Sequence, residues 1–507
     1  MIKIEKNGTM GTDFKSVPIV PMINLGQMFE EICRRYADNT ALIYEDQTIT
    51  YGMLDRTVAA LAHHFQSLGL GKGDKAALML PNCPEFVVAY FACQRIGAVA
   101  VTLNVLSNPY ELSFLLADSD ARVFITQPIM AKRFEEIKDA LPLCRHVLTT
   151  DDIKRIASEG PFTIDIPDIA PDDPAVMIYT SGLTGKPLGA MLTHHNLLTQ
   201  STLLMTICSA DETFRGLAVI PHFHSFGAVG NMLGPMWVGA SVVLMERFTL
   251  DSIFKTIEKE KVTYIAAVPR LFMGMVFHDK ADQYDVSSLK FCVTGGSAMP
   301  PEFIPLFREK FGVLLVEGYG LTEASPVCSV GRLEMPVKPG SIGVPIPGVR
   351  VRVVDEKRGQ IYYLSPDLPT GEIGELLIQG DNVMKGYYKD PEMTAKVIRD
   401  GWLHTGDLAR IDADGYIFLT GRIKRMVITS GFNVYPVEVE TVLNMHPDVQ
   451  ASRIESKPDL LRGEIVKALI VPKPGVAPDE KAIMKHCRTY LSSYKIPREI
   501  EFVDKIE

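Results

Sequence analysis

The feature that most limits the fold is an alternation of two hydrophobic periods. Residues 75–80 form a short apolar run, residues 85–96 carry helical spacing, and residues 98–103 are again a short apolar run. Residues 111–118 and 122–126 repeat the pattern. Short, nearly continuous apolar runs suit strands buried on both faces. Parallel neighbours need a crossover, so strands that alternate with helices predict βαβ units and a parallel sheet. The alternation resumes later: residues 217–220, 241–245, 264–268 and 290–294 read as strands, and residues 250–260 and 301–311 as helices. Helical spacing also marks residues 24–36 and 51–68, where Leu54, Val58, Leu61 and Phe65 recur every three or four positions. Residues 348–376 instead mix short β segments with Gly and Pro turns, which predicts a smaller β-rich subdomain. Residues 1–20 read as a loosely ordered arm, and no repeat of 20–50 residues is found.

At 507 residues the chain is too long for one core, and length alone suggests roughly three domains. The clearest boundary falls at residues 421–424. Beyond it, residues 436–444 begin a helix, followed by a strand at 466–471 and a helix at 480–491. About 85 residues suffice for an independent unit. The expectation is therefore an α/β protein: a large N-terminal domain over residues 1–422, with parallel-rich βαβ sheets plus the β-rich subdomain, then a small α+β domain over residues 423–507.

The net charge of −9 argues against nucleic acid as the main partner. Eight cysteines are scattered with no C-x-x-C pair, which fits reduced thiols in a cytoplasmic protein rather than a zinc site or disulfide framework. The N-terminus MIKIEKNGTM lacks the apolar core of a signal peptide. Residues 216–245 contain no Asp, Glu, Lys or Arg, but five glycines and two prolines would break a lipid-exposed helix. Buried core or pocket lining is the expectation there.

The richest motif is YTSGLTGKPLGAMLTHHNL at residues 179–197. It reads as a Ser/Thr/Gly-rich loop between the apolar run 175–178 and a helix start at 193–196. Freed amides and hydroxyls make an anion cradle, and glycines let the backbone approach phosphate oxygens. Gly182, Gly185 and Lys186 are too closely spaced for a Walker loop, and Pro187 stands where Ser or Thr would be needed. Taken alone, the composition fits a phosphate cradle or an ordinary surface loop.

Three further motifs follow in order: EGYGLTE at 317–323, GWLHTGD at 401–407 and GRIKRMVITSGFNVYPVEVE at 421–440. Together with the first, they resemble the adenylate-forming superfamily of acyl-CoA synthetases, luciferases and carrier-domain adenylation enzymes, over essentially the whole chain. The resemblance implies a two-step reaction with ATP, Mg²⁺ and coenzyme A. A carboxylate displaces pyrophosphate from ATP, and a thiol then displaces AMP from the acyl-adenylate. It implies that Thr180, Ser181, Gly182, Thr184 and Gly185 cradle the β- and γ-phosphates. Thr322 would touch the α-phosphate and Glu323 would hold the metal. Tyr319 would stack on adenine, with Gly295, Gly296 and Ser297 of TGGSAMP and Glu317, Gly318 and Gly320 around it. Asp407 would accept from the ribose hydroxyls, supported by Arg422. His224 in PHFHSFG resembles a gate near the carboxylate. Phe226, Gly227, Gly230 and Leu321 would line the acyl pocket. Lys424 would be the hinge of a mobile lid, and Ser430, Gly431 and Phe432 the lid loop that approaches the pantetheine. Read on its own, Lys424 also fits a solvated charge run.

Three departures stand out. Leu183 replaces a usual Ser or Thr, and Leu188 a usual Lys. The sequence also stops before the position of the family's final catalytic lysine, with Lys505 too early to supply it. A truncated sequence is the favoured expectation, with impairment of the first half-reaction as the alternative. The motifs GYGLTEASPV and KPGSIGVPIPGV look like those of bacterial medium- to long-chain fatty-acyl-CoA synthetases. An aryl or carrier-loading adenylation enzyme, a luciferase-like oxidase and a nucleotide- or adenylate-binding protein with little turnover stay open. The expected partners are a small carboxylic acid, ATP and CoA, with no nucleic acid and no transmembrane segment. Peripheral membrane contact stays open, as does the choice between monomer and homodimer.

Overall fold

The computed structural model describes residues 21–159, 162–180, 186–355, 368–423, 426–459, 462–476 and 479–506, with the backbone of Ser181 and of two short N-terminal strands. Among the described residues the strands assemble into four sheets.

The first sheet has nine strands, and six of them, from Leu314–Gly320 through Phe291–Thr294, Tyr264–Ala267, Arg215–Ala218 and Ser241–Leu244 to Thr40–Tyr44, run parallel. The second has seven strands, with Pro174–Ser181, Val99–Thr102, Lys75–Met79, Ala121–Thr126 and His146–Thr149 parallel to one another. The predicted alternation thus produces two parallel-rich sheets. Helix Pro84–Ile96 is apolar on nearly every side and buried at every position, as a helix enclosed by neighbouring elements must be. Its one buried cation, Arg95, is paired with Asp55. Capping sets several helix starts: Asn24, Asn108, Thr193 and Thr249 each begin a reciprocal capping box.

The third sheet is antiparallel and includes Arg350–Val354, Gly374–Gln379, Trp402–Ile411 and Ile417–Arg422. It is the β-rich subdomain expected from the Gly/Pro-punctuated segment. Two N-terminal strands, Ile2–Ile4 and Met10–Thr12, pair with each other and join the edge at Val351. The expected loose arm therefore contains a strand pair, because an open edge offers backbone partners that local sequence does not reveal. The fourth sheet starts at Val427 and has five strands. With helices Pro436–Asn444 and Glu480–Tyr490 it buries its own apolar cluster around Val439, Leu443, Ile454 and Ile470.

One sequence expectation is corrected. Residues 179–197 are not one loop leading into a helix. Strand Pro174–Ser181 turns back antiparallel into strand Pro187–Thr193, with Thr180 opposite Leu188, and only then does helix His194–Ile207 begin. Apolar Leu188, Ala190 and Leu192 are buried, so the segment after Pro187 is a core strand.

Candidate functional site

The carboxyl ends of the parallel strands in both sheets point to one cleft of about 2200 Å³. Ligand sites in α/β sheets gather at such ends. Gly295 and Gly296 follow strand Phe291–Thr294, Thr322 and Glu323 follow strand Leu314–Gly320, and Thr180 is the next-to-last residue of strand Pro174–Ser181. Thr102 Oγ1 donates to the Phe223 carbonyl at 2.9 Å, tying the sheets together beside the cleft.

Tyr319 and Asp407 meet at one wall. The tyrosine hydroxyl donates to Asp407 Oδ2 at 2.5 Å, and Arg422 Nε lies 2.7 Å from Asp407 Oδ1. Burial pushes the Asp407 carboxyl above its ordinary range, and the Arg422 charge opposes that rise. A buried carboxylate held from both sides is a pre-set acceptor for hydroxyl donors. Gly295 approaches the Gly318 carbonyl so closely that an added Cβ would stand 3.1 Å from it. Glu317 accepts from the Met299 amide through Oε1 at 3.1 Å, while its buried Oε2 has no partner among the described residues. Burial raises this carboxyl to about 7.

Glu323 forms the second wall. Its Oε1 accepts from Tyr387 OH at 2.8 Å and from Thr180 Oγ1 at 3.2 Å. Thr322 Oγ1 lies 3.2 Å from Ser225 Oγ. Tyr387 and Ser225 were not singled out in the sequence. Ser225 has a signal in its place next to His224, whereas Tyr387 reaches Glu323 only through the pairing of its short strand with Ala190. Carboxylate and hydroxyl oxygens form a hard donor set that suits Mg²⁺. Among the described residues no cluster of three or more His, Cys, Asp or Glu side chains makes a full protein cage.

His224 occupies the N-cap of a short helical turn, Ser225–Ala228. Burial pushes its imidazole down to about 4, so the ring is neutral at pH 7. It packs 4.6 Å from the Phe223 ring and 5.5 Å from Phe432 of the C-terminal unit. Phe432 leaves a two-residue turn in which Ser430 and Gly431 both have positive φ, 53° and 85°. Such turns match the twist of a tight hairpin. This turn brings Gly431 to the cleft against Val268, where an added Cβ would lie 2.9 Å from Cγ1.

Beyond His224 the cleft continues between helix His194–Ile207 and strands Tyr264–Ala267 and Phe291–Thr294. Phe226, Gly230, Tyr264, Phe291, Leu333 and Cys208 line this stretch, with no charged side chain among them. The Tyr264 hydroxyl is taken up by the Gly230 carbonyl at 2.8 Å. Leu321 lines the same cleft. Gly227 stands apart: it packs under the Pro221 carbonyl, 2.2 Å from where a Cβ would be.

Ser297, Gly318 and Gly320 also border the cleft. Gly182, Leu183, Thr184, Gly185 and Lys424, with the Ser181 side chain, lie outside the described residues. Leu188 is buried in the main core, whereas Lys186 is exposed at the hairpin end and borders the cleft. No described helix is long and apolar enough to cross a membrane.

A family profile described as AMP-binding enzyme matches residues 29–388, and one described as AMP-binding enzyme C-terminal domain matches residues 438–507. The chain is 33% identical over 522 residues to a long-chain-fatty-acid–CoA ligase of Bacillus subtilis, covering 95% of this chain and 91% of that protein. It is 37% identical over 471 residues to a feruloyl-CoA synthase of an Amycolatopsis species, covering 92% of each. Among solved structures, o-succinylbenzoate CoA synthetase of Bacillus subtilis, bound with a product analogue, superposes with a TM-score of 0.85 at 28% identity, covering 95% of each chain. The chain belongs to the AMP-binding enzyme family of adenylate-forming proteins, as an AMP-forming acyl-CoA ligase whose substrates are a carboxylic acid, ATP and CoA and whose cofactor is Mg²⁺.

Proposed function

We propose that the protein is a cytoplasmic fatty-acid–CoA ligase, with residues 1–422 as the catalytic domain and residues 423–507 as a lid that swivels at Lys424. The carrying observation is that Phe226, Gly230, Tyr264, Phe291 and Leu333, which line the stretch from His224 to Cys208, are all uncharged, with Arg332 and Glu334 near its Cys208 end. A largely apolar wall whose Tyr264 hydroxyl is already bonded favours an alkyl chain along its length. The long-chain-fatty-acid ligase of Bacillus subtilis supports the same reading, and the feruloyl-CoA synthase defines the competing one.

In the proposed first step a carboxylate oxygen attacks the α-phosphorus of ATP, and the bond to pyrophosphate breaks. Asp407 and Arg422 hold the ribose, and Tyr319 stacks on adenine between Gly295–Ser297 and Glu317–Gly320. Thr180, Ser181, Gly182, Thr184 and Gly185 hold the departing phosphates. Thr322 donates to the α-phosphate, and Glu323 would hold Mg²⁺. The ion, when bound, supplies positive charge that offsets the phosphate oxygens. In the second step the CoA sulfur attacks the acyl carbon, the bond to the phosphate oxygen breaks, and AMP leaves. The turn at Ser430–Gly431 and Phe432 guides the pantetheine arm. The neutral His224 ring stands between that arm and the acyl channel. The contact of Gly431 and Phe432 with Val268 and His224 supports reading the present arrangement as the one suited to this second step.

The deciding experiment is single-turnover CoA-thioester formation from a series of alkyl acids and from ferulate, each supplied with MgATP or as the acyl-AMP. Faster reaction of alkyl acids with eight or more carbons than of ferulate, by about tenfold, is the expected result. Preference for ferulate would replace the fatty-acid reading with an aryl one. Tight acyl-AMP binding without product from either source would mark an adenylate-binding protein.

A further inference from the structure

One buried cluster of charged side chains spans the large domain and the C-terminal unit. Lys495 Nζ lies 2.8 Å from Glu111 Oε1 and 2.7 Å from Glu438 Oε1, with its side chain only 8% exposed. Glu438 and Lys495 both belong to the C-terminal unit, so that pair travels with it. Glu111 belongs to helix Pro109–Asp118 of the large domain. It also accepts from the Ser492 hydroxyl and, at 3.3 Å, from the Ser492 amide. One carboxylate therefore takes three donors from the neighbouring unit. Tyr110 and Tyr490 meet edge to face beside it, with ring centroids 5.0 Å apart.

We propose that Glu111 is a positioning residue that selects the lid orientation for thioester formation. This rests on the reading of residues 423–507 as a swivelling lid. When the lid turns away, Lys495 keeps Glu438, but Glu111 loses all three donors at once. A carboxylate that gains three donors, one of them an ammonium, in only one of two arrangements biases the equilibrium toward that arrangement. Glu111 borders the same cleft, but its described partners are Asn108, Ser492 and Lys495 rather than Thr322, Glu323 or Asp407. It acts by holding Ser492 and Lys495, and through the same rigid unit it keeps Gly431 and Phe432 at Val268 and His224.

The residue has a second, local job that a test must leave intact. Glu111 is the N3 member of a capping box: its Oε2 accepts from the Asn108 amide at 3.3 Å, and Asn108 Oδ1 accepts from the Glu111 amide at 2.9 Å. Gln serves at N3 as Glu does, so Glu111→Gln removes the charge while keeping the helix start. Ser492→Ala removes one donor from the other side without touching that helix.

Two readouts are compared in the full chain. The first is lid orientation, read as the yield of a short bis-maleimide crosslink between cysteines introduced by Tyr110→Cys and Tyr490→Cys, with and without Glu111→Gln. The second is thioester formation from supplied acyl-AMP and CoA, beside adenylate formation from acid and MgATP. Glu111→Gln is expected to lower crosslink yield and to slow thioester formation on the order of tenfold. Adenylate formation and the thermal midpoint stay at the parent's values, and Ser492→Ala shifts the same two readouts in the same direction. An unchanged crosslink yield overturns the proposal whatever the activities do. So does an equal fall in both half-reactions with a lowered midpoint, which would make Glu111 merely structural. A parent chain that forms no thioester from acyl-AMP sinks the ligase reading instead, and the crosslink still decides the role of Glu111.

Discussion

Asp407 and Arg422 sit opposite each other on adjacent antiparallel strands, and their side chains close to 2.7 Å between Arg422 Nε and Asp407 Oδ1. The pair comes just before the proposed hinge, so the residue that fixes the acceptor also leads into the lid. Asp407→Asn keeps an acceptor for Tyr319 but loses the charge that would bind two ribose hydroxyls. Charge-assisted hydrogen bonds of this kind contribute about 1.5–3 kcal/mol. Calorimetry is expected to show acyl-AMP binding weakened by about 10- to 100-fold. Affinity equal to the parent's would remove Asp407 from the nucleotide site.

Glu323 joins the ends of three segments through Thr180 and Tyr387. Glu323→Ala is expected to abolish the Mg²⁺ dependence of ATP binding and to lower adenylate formation by more than about 100-fold. Thioester formation from supplied acyl-AMP should stay within a few-fold of the parent, since that step no longer needs pyrophosphate to leave. If titration with Mg²⁺ strengthens ATP binding equally in variant and parent, the metal is held elsewhere.

Gly431 has φ of 85°, and an added Cβ would meet Val268 Cγ1 at 2.9 Å. Gly431→Ala pays twice, in left-handed backbone strain of about 1 kcal/mol and in a contact that moves the turn away from the cleft. Thioester formation is expected to slow by about tenfold, with adenylate formation unaffected because in the proposed cycle the turn serves the second step alone. A parallel loss in both steps would argue that the turn has no preference between them.

How much of this was legible in the sequence depended on the distance over which each element is decided. Residues 250–260 and 436–444 are legible to the residue because capping and turn signals sit beside the helical period. The four motifs also carried the cleft residues Tyr319, Thr322, Glu323 and Asp407. The hairpin from Pro174 to Thr193 is not legible locally, because Gly and Pro hide a core strand whose evidence is its partner. Tyr387 reaches Glu323 across 64 positions, and Glu111 reaches Lys495 across 384. Neither has a local pattern, since a long-range contact is fixed by topology rather than by neighbours in the chain.

Burial holds the Glu317 carboxyl at about 7, well above its ordinary value of 4.5. Between those values the unfolded chain is ionised at this position while the folded chain keeps its proton. The folded state therefore binds more protons, and its stability falls as pH rises through that window. The full effect is on the order of 3 kcal/mol. Glu317→Gln stays neutral throughout, so its stability relative to the parent should rise between pH 5 and pH 8. Denaturation midpoints at the two pH values measure this directly. A constant offset would mean that the Glu317 carboxyl titrates in its ordinary range.

Gly230 offers the sharpest handle on the acyl chain. An added Cβ would lie 3.5 Å from Phe226 and 3.7 Å from Ala266, ordinary contact distances, so a side chain can enter without displacing backbone. What it takes is channel volume. Gly230→Leu is therefore expected to fold normally and to lower kcat/KM for long alkyl acids by about tenfold or more, since each methylene lost from such a pocket is worth about 1–3 kcal/mol. Short acids that stop before Gly230 should react as with the parent, and Gly230→Ala should fall between the two. The measurement is kcat/KM against chain length for the three proteins, using acyl-AMPs to isolate the channel from adenylation. A uniform drop at every chain length would mean that the acid does not run past Gly230, and the route from His224 to Cys208 would no longer be the acyl site.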